Sequence, residues 1–154
     1  MTTTATDWTT APVTALIDHI ESTHHEYLKR QMPLITGLLA AARTANPALA
    51  DELEAVWTPF VDEMESHLWK EEMILFPMVR GVTAGCGGVE NPIRVMLMEH
   101  DAADQSLKAF RNITGDYTAL NVPALNRALE ELEADLRVHM HKENDILFPR
   151  VIAR

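Results

Sequence analysis

The stretch HLWKEEMILFPMV, from His67 to Val79, returns 72 residues later as HMHKENDILFPRV, from His139 to Val151. Eight of the thirteen positions are identical: His, Lys, Glu, Ile, Leu, Phe, Pro and Val. A repeat of this kind is the mark of one structural unit used twice. Each copy contains His-x-x-x-Glu, and residues four apart stack on one helix face, so His67 with Glu71 and His139 with Glu143 are placed to share an ion. The segment before each copy also carries a histidine, His25 in one half and His100 in the other, 75 residues apart. The chain therefore reads as two helical hairpins, each with a histidine on its first helix and His-x-x-x-Glu on its second.

Working outward from the repeat, glycine and proline punctuate the chain in few places: Pro12, Asn46-Pro47, the stretch from Gly81 to Pro92, Gly115, and Asn121 to Pro123. The four segments between them show apolar residues three and four apart, as in Leu125, Leu129, Leu132 and Leu136, which is helical spacing. No segment alternates with period two. The first helix is predicted from Val13 to Thr44 with a kink at Pro33, and the second from Asn46-Pro47 to Val79 with a disturbance at Pro59. The third is predicted from Pro92 to Ile113, and the fourth opens at Asn121 to Pro123 and ends near Val151. The expected fold is all-α: an up-down-up-down four-helix bundle over residues 13–152, preceded by an N-terminal arm, 1–12.

Composition limits the partners. At 154 residues the chain is one domain's worth of protein, and 13 basic against 23 acidic residues give a net charge of −10, which repels nucleic acid and anionic lipid. No apolar run approaches the roughly 20 residues of a membrane-spanning helix. The polar start MTTTATDWTT lacks the pattern of a signal peptide, and Cys86 is the only cysteine, so a soluble cytoplasmic protein is expected.

Apolar neighbours, Leu68, Ile74, Leu75 and Phe76 in one copy and Leu136, Ile146, Leu147 and Phe148 in the other, are expected to turn the His-x-x-x-Glu faces inward. Four histidines and two carboxylates at the centre of a bundle are the components of a di-iron or di-manganese site. Imidazole suits iron, and carboxylates offset the charge of two close cations while spanning between them. A lone His-x-x-x-Glu is an ordinary surface pair worth a few tenths of a kcal/mol. Two matched copies with matched histidines are different, because burying so many ionisable groups without a metal would cost several kcal/mol each.

At these residues the chain resembles the hemerythrin-like, or HHE cation-binding, family, and within it the di-iron "repair of iron centres" proteins. The resemblance covers nearly the whole chain, through DWTTAPVTALIDHI followed by His25, HLWKEEMILFP, MEHDAAD around His100, and HMHKENDILFP. It implies that His25, His67, His100 and His139 are terminal ligands of two non-haem irons, that Glu71 and Glu143 bridge them, and that an oxo or hydroxo group completes the bridge. It also implies a role in nitrosative or oxidative stress, through iron donation to damaged iron–sulfur clusters or through nitric oxide or peroxide chemistry, with iron–sulfur proteins as iron acceptors. Oxygen-carrying hemerythrins are similar too, but have His-x-x-x-His where this chain has His-x-x-x-Glu, which leaves reversible oxygen binding or sensing as the alternative. A metal-poor structural bundle is the third reading.

Family members often carry an N-terminal domain with vicinal cysteines before the DWTTAP stretch, which here begins at Asp7, so that domain and its thiols are expected to be absent. Many also have a histidine near the end of the first helix, where this chain has Asn46. Periodicity alone would allow His24 in place of His25, and the family match favours His25. His19 and His141 match no ligand position. Glu63, Asp135 and Glu99 stand beside the ligand layer, as partners for a ligand imidazole or as a polar path for iron. Cys86 is read as a plain reduced thiol.

Overall fold

The computed structural model of the chain describes residues 5–81 and 88–153. Four long helices account for most of them. The first comprises Val13–His19, a wide π-helical turn Ile20–His25, and Glu26–Ala45. The second comprises Pro47–Lys70, a π-turn Glu71–Leu75, and Phe76–Arg80. The third, Glu90–Ile113, is α-helical throughout, and the fourth comprises Pro123–His141, a π-turn Lys142–Leu147, and Phe148–Ile152. No strand occurs among the described residues.

Asn46 alone separates the first two helices. Its side chain accepts the Leu49 N–H at 3.3 Å and Pro47 takes the first helical position, where a missing N–H costs nothing. Asn46 is thus a cap, and lies about 30 Å along the helix from His25. Gly81, with φ of 74°, ends the second helix in the left-handed conformation that favours glycine. The first helix packs against the second and fourth, and the third against the second and fourth, which closes the four-helix bundle. In the turn after the third helix, the buried Tyr117 at φ of 64° donates its hydroxyl to Glu133 at 2.7 Å, and Arg111 and Arg137 also donate to that carboxylate.

The apolar core is in two parts. The larger runs from Leu28 to Ala42 on the first helix, across Trp57, Phe60 and Phe110, to Leu125 to Met140 on the fourth. The smaller joins Leu16, Ile17 and Ile20 to Leu75, Phe76, Val79, Ile93, Met96, Leu147, Phe148 and Val151. Between them lies a layer of buried polar side chains, and three of the four helices change to π-helical hydrogen bonding at that layer.

The expected breaks at Pro33 and Pro59 are corrected by this arrangement, since both prolines lie within unbroken α-helix. The irregular turns fall instead where polar groups must point inward. A π-turn carries one extra residue, so the inward face moves on by one position. From Glu71 the next inward residues are Leu75 and Phe76, whereas Ile74, expected inside, is 42% exposed. Pro77 and Pro149 follow at the second position of the resumed α-segments, where no N–H is needed within the segment.

Candidate metal centre

Each hairpin delivers its polar groups by the same route. His67 and His139 stand near the end of long α-segments, Glu71 and Glu143 lie one turn later inside the π-turns, and His25 closes the π-turn of the first helix. His100 projects from the middle of the third helix. All six side chains are buried, and Glu71, Glu143 and His25 have no exposed surface.

The six fall into two groups of four: His25, Glu71, His139 and Glu143, and His67, Glu71, His100 and Glu143. Within each group one ligand atom per residue lies within 4.8 Å of all the others, as expected when each approaches a common cation at about 2.1 Å. The carboxylates belong to both groups. Glu71 Oε1 lies 3.4 Å from His25 Nε2 and 3.2 Å from His67 Nε2. Glu143 Oε1 lies 3.0 Å from His100 Nε2 and 3.2 Å from His139 Nε2. Each carboxylate therefore sits between one imidazole of each group. The pairing also crosses the repeat, first helix with fourth and second with third, so the pseudo-two-fold relation exchanges the two groups.

Several of these atoms lie close together without hydrogen-bond alignment. Both oxygens of Glu71 and of Glu143, Nε2 of His25 and both nitrogens of His139 are buried without a hydrogen-bond partner among the described residues. His67 Nε2 and His100 Nε2, by contrast, lie within hydrogen-bond distance of each other at 3.2 Å. Buried ring nitrogens and carboxylate oxygens without partners are costly, and a cation satisfies them at once. The residues present fit a pair of metal ions.

Behind the imidazoles lies a second layer of contacts. His25 donates from Nδ1 to Glu72 at 3.0 Å, and Lys29 holds Glu72 at 2.8 Å. His67 donates to Glu99 at 2.8 Å, and Lys70 holds Glu99 at 2.5 Å. His100 donates to Asn144 Oδ1 at 2.6 Å. Because these oxygens accept, the neutral ring carries its proton on Nδ1 and turns the Nε2 lone pair to the centre. Phe76 stacks on His25 at 5.7 Å and Phe148 on His100 at 6.0 Å, so the two phenylalanines of the ILFP repeats fix ring orientation.

Electrostatics follow these contacts. Burial is the largest influence on His25 and opposes its charge, yet Glu71, Glu72 and Glu143 together outweigh it and hold the pKa at about 10. The same balance, with Glu71, Glu143 and Glu99, puts His67 at about 9. His139 is the exception: burial dominates and lowers its pKa. Glu143 is buried, but its histidine neighbours hold it well below the usual carboxylate range.

Of the residues singled out from sequence, all six in the proposed ligand set converge. His24 is buried but turned away: its Nε2 accepts from Lys142 at 2.8 Å and its Nδ1 donates to Asp135 at 3.1 Å. His19 stacks on Trp8 at 4.4 Å and accepts from the same lysine. His141 is exposed and bonds Asp145 at 2.6 Å. Cys86 lies outside the described residues. Sequence reasoning missed Glu72 and Asn144, although both directly follow the repeated glutamates and occupy equal places in the repeat. It also missed the π-turns, for which the repeated Phe-Pro was the available signal.

A cavity of about 510 Å³ reaches His67, His100 and His139 from one side. Phe60, Met64, Met98 and Leu136 make its wall largely apolar, and the exposed Glu63 and the Lys70–Glu99 pair also line it.

The hemerythrin HHE cation binding domain model matches residues 16–151, which takes in the entire polar layer. The chain belongs to the hemerythrin HHE family. Among curated proteins, this hemerythrin-family chain is 36% identical over 155 residues to the iron-sulfur cluster repair protein YtfE of Yersinia pseudotuberculosis, covering 95% of this chain and 69% of that protein. It is 34% identical over 158 residues to the protein of the same name from Escherichia coli, covering 96% of this chain and 70% of that one. No helix among the described residues is long and apolar enough to cross a membrane.

Proposed function

We propose that the six residues bind two iron ions and that the protein supports repair of iron–sulfur clusters under nitrosative or oxidative stress. His25 and His139 hold one ion, His67 and His100 the other, and Glu71 and Glu143 reach both. The observation that carries this reading is the membership of both buried carboxylates in both four-residue groups. A bound iron pair with an oxo or hydroxo bridge supplies redox-active, exchangeable iron with positions open to small ligands. The chain's own part is to hold the imidazole lone pairs of His25, His67 and His100 inward through Glu72, Glu99 and Asn144, to balance the cations with two anionic carboxylates, and to exclude bulk water with the two apolar clusters. Iron passed to a damaged iron–sulfur protein is the cargo in this reading, as the relatives named for cluster repair suggest.

The apolar cavity beside His67 and His100 favours a companion role, in which nitric oxide, oxygen or peroxide reaches the same centre. Anaerobic purification with iron quantification tests the first claim, and close to two irons per chain is expected. Transfer of that iron to an iron-depleted iron–sulfur enzyme, read as regained cluster absorbance, tests the second. A chain that holds two irons yet restores no cluster, while binding oxygen reversibly, supports the sensing alternative instead.

A further inference from the structure

Three of the four inward-facing histidines have an acceptor for Nδ1–H, and His139 has none among the described residues. The repeat shows where the acceptor went. His67 uses Glu99, the residue before His100; the residue before His25 is His24. Lys70 holds Glu99, and its counterpart Lys142 holds His24. His24 therefore occupies the place of an acceptor, but its ring lies nearly parallel to that of His139, at 5.3 Å and 10°. Parallel rings do not donate to one another in plane.

A second buried atom is also unmatched. Asp135 Oδ1 takes the Nδ1–H of His24 at 3.1 Å, while Oδ2 is buried and has no hydrogen-bond partner among the described residues. Asp135 precedes His139 by one turn of the continuous α-segment Pro123–His141, and helical side chains lean toward the preceding turn. An unused donor and an unused acceptor thus lie on one helix face, four residues apart. We propose that Asp135 is the positioning residue for His139: when a divalent cation occupies the His25 and His139 group, Asp135 Oδ2 accepts the Nδ1–H of His139 while Oδ1 keeps that of His24.

One carboxylate then serves two stacked imidazoles, and Lys142 fixes the assembly by occupying His24 Nε2. This also explains why His24 is buried beside the centre without joining it. The counterpart of Asp135 in the first hairpin, Glu63, has no such duty, because Glu99 already serves His67. The proposal rests on reading the His25 and His139 group as a metal position.

The test is anaerobic titration of metal-free protein with Co(II), read in the visible bands and by chelator competition. Wild type is expected to take two equivalents. Asp135→Ala should keep one tight equivalent and bind the other about 10- to 100-fold more weakly, Asp135→Asn should recover only part of the loss because its single carbonyl oxygen cannot accept from both His24 and His139, and Glu63→Ala should match wild type. In Zn(II)-loaded, 15N-histidine-labelled wild type, a hydrogen-bonded His139 Nδ1 proton is expected, and it should be lost in Asp135→Ala. Two tight equivalents in Asp135→Ala overturn this assignment alone. Fewer than two in wild type overturn the two-metal reading and this assignment with it. Should Asp135→Ala fail to fold, absence of the protected Nδ1 proton in Zn(II)-loaded wild type is sufficient to refute the assignment.

Discussion

Binding of metal to this centre should expel protons, and the number can be worked out from the geometry. In the metal-free chain His25 titrates at about 10 and His67 at about 9, so at pH 7.5 both rings carry a proton on Nε2 as well as on Nδ1. Nε2 is the nitrogen that faces the centre, and a cation can only take it after that proton leaves. Filling both positions near pH 7.5 should therefore release at least two protons from the protein, and the overall constant for two ions should rise by about 100-fold per pH unit up to about pH 8.5. Calorimetric titration with Co(II) in two buffers of different ionisation enthalpy counts the protons directly. The same pKa values set the stability of the metal-free bundle. Both are raised above the ordinary histidine value of 6.5, so their stabilising contribution is complete below pH 6.5 and is lost as pH rises through 9 and 10. Thermal melts of metal-free protein should fall over that window, and metal-loaded protein should fall less. Release of no protons at pH 7.5, with a pH-independent affinity, would refute the charge assignment of the centre.

Three further outcomes follow from the same structure. Glu71→Gln or Glu143→Gln should abolish binding of the metal pair, whereas Glu72→Gln should retain both ions with about 10- to 100-fold weaker affinity at one position, measured by chelator competition. Glu133→Ala leaves the buried Tyr117 hydroxyl without its acceptor and frees two arginines, and should cost about 2–3 kcal/mol in urea unfolding of the metal-free protein, with metal stoichiometry unchanged. Ala102→Trp, on the wall of the 510 Å³ cavity, should slow reaction of the iron-loaded protein with nitric oxide in stopped flow without altering iron content; Cys86→Ser should leave that rate as it is.

Much of this protein was written in its linear order. The matched His-x-x-x-Glu segments located four of the six inward groups, the offset histidines located the other two, and the glycine and proline punctuation set the four helices close to their observed ends. Those features are local: residues four apart share a helix face whatever the helix packs against, and a capping asparagine before proline starts a helix in any fold. Tertiary structure decided the rest. Only packing shows that His25 joins His139 and His67 joins His100, because each pair comes from different hairpins. Periodicity left His24 open beside His25, and packing supplies the physical reason for His25: Lys142, 118 residues away, occupies the Nε2 of the buried His24. The π-turns have the same origin. A helix left to itself gains most from regular α hydrogen bonds, and the extra residue at Ile20–His25, Glu71–Leu75 and Lys142–Leu147 is held where it turns polar groups into the layer between two apolar clusters. Glu72 and Asn144 stand at one repeat position with different chemistry, and their shared duty became visible only when His25 and His100 were brought over them.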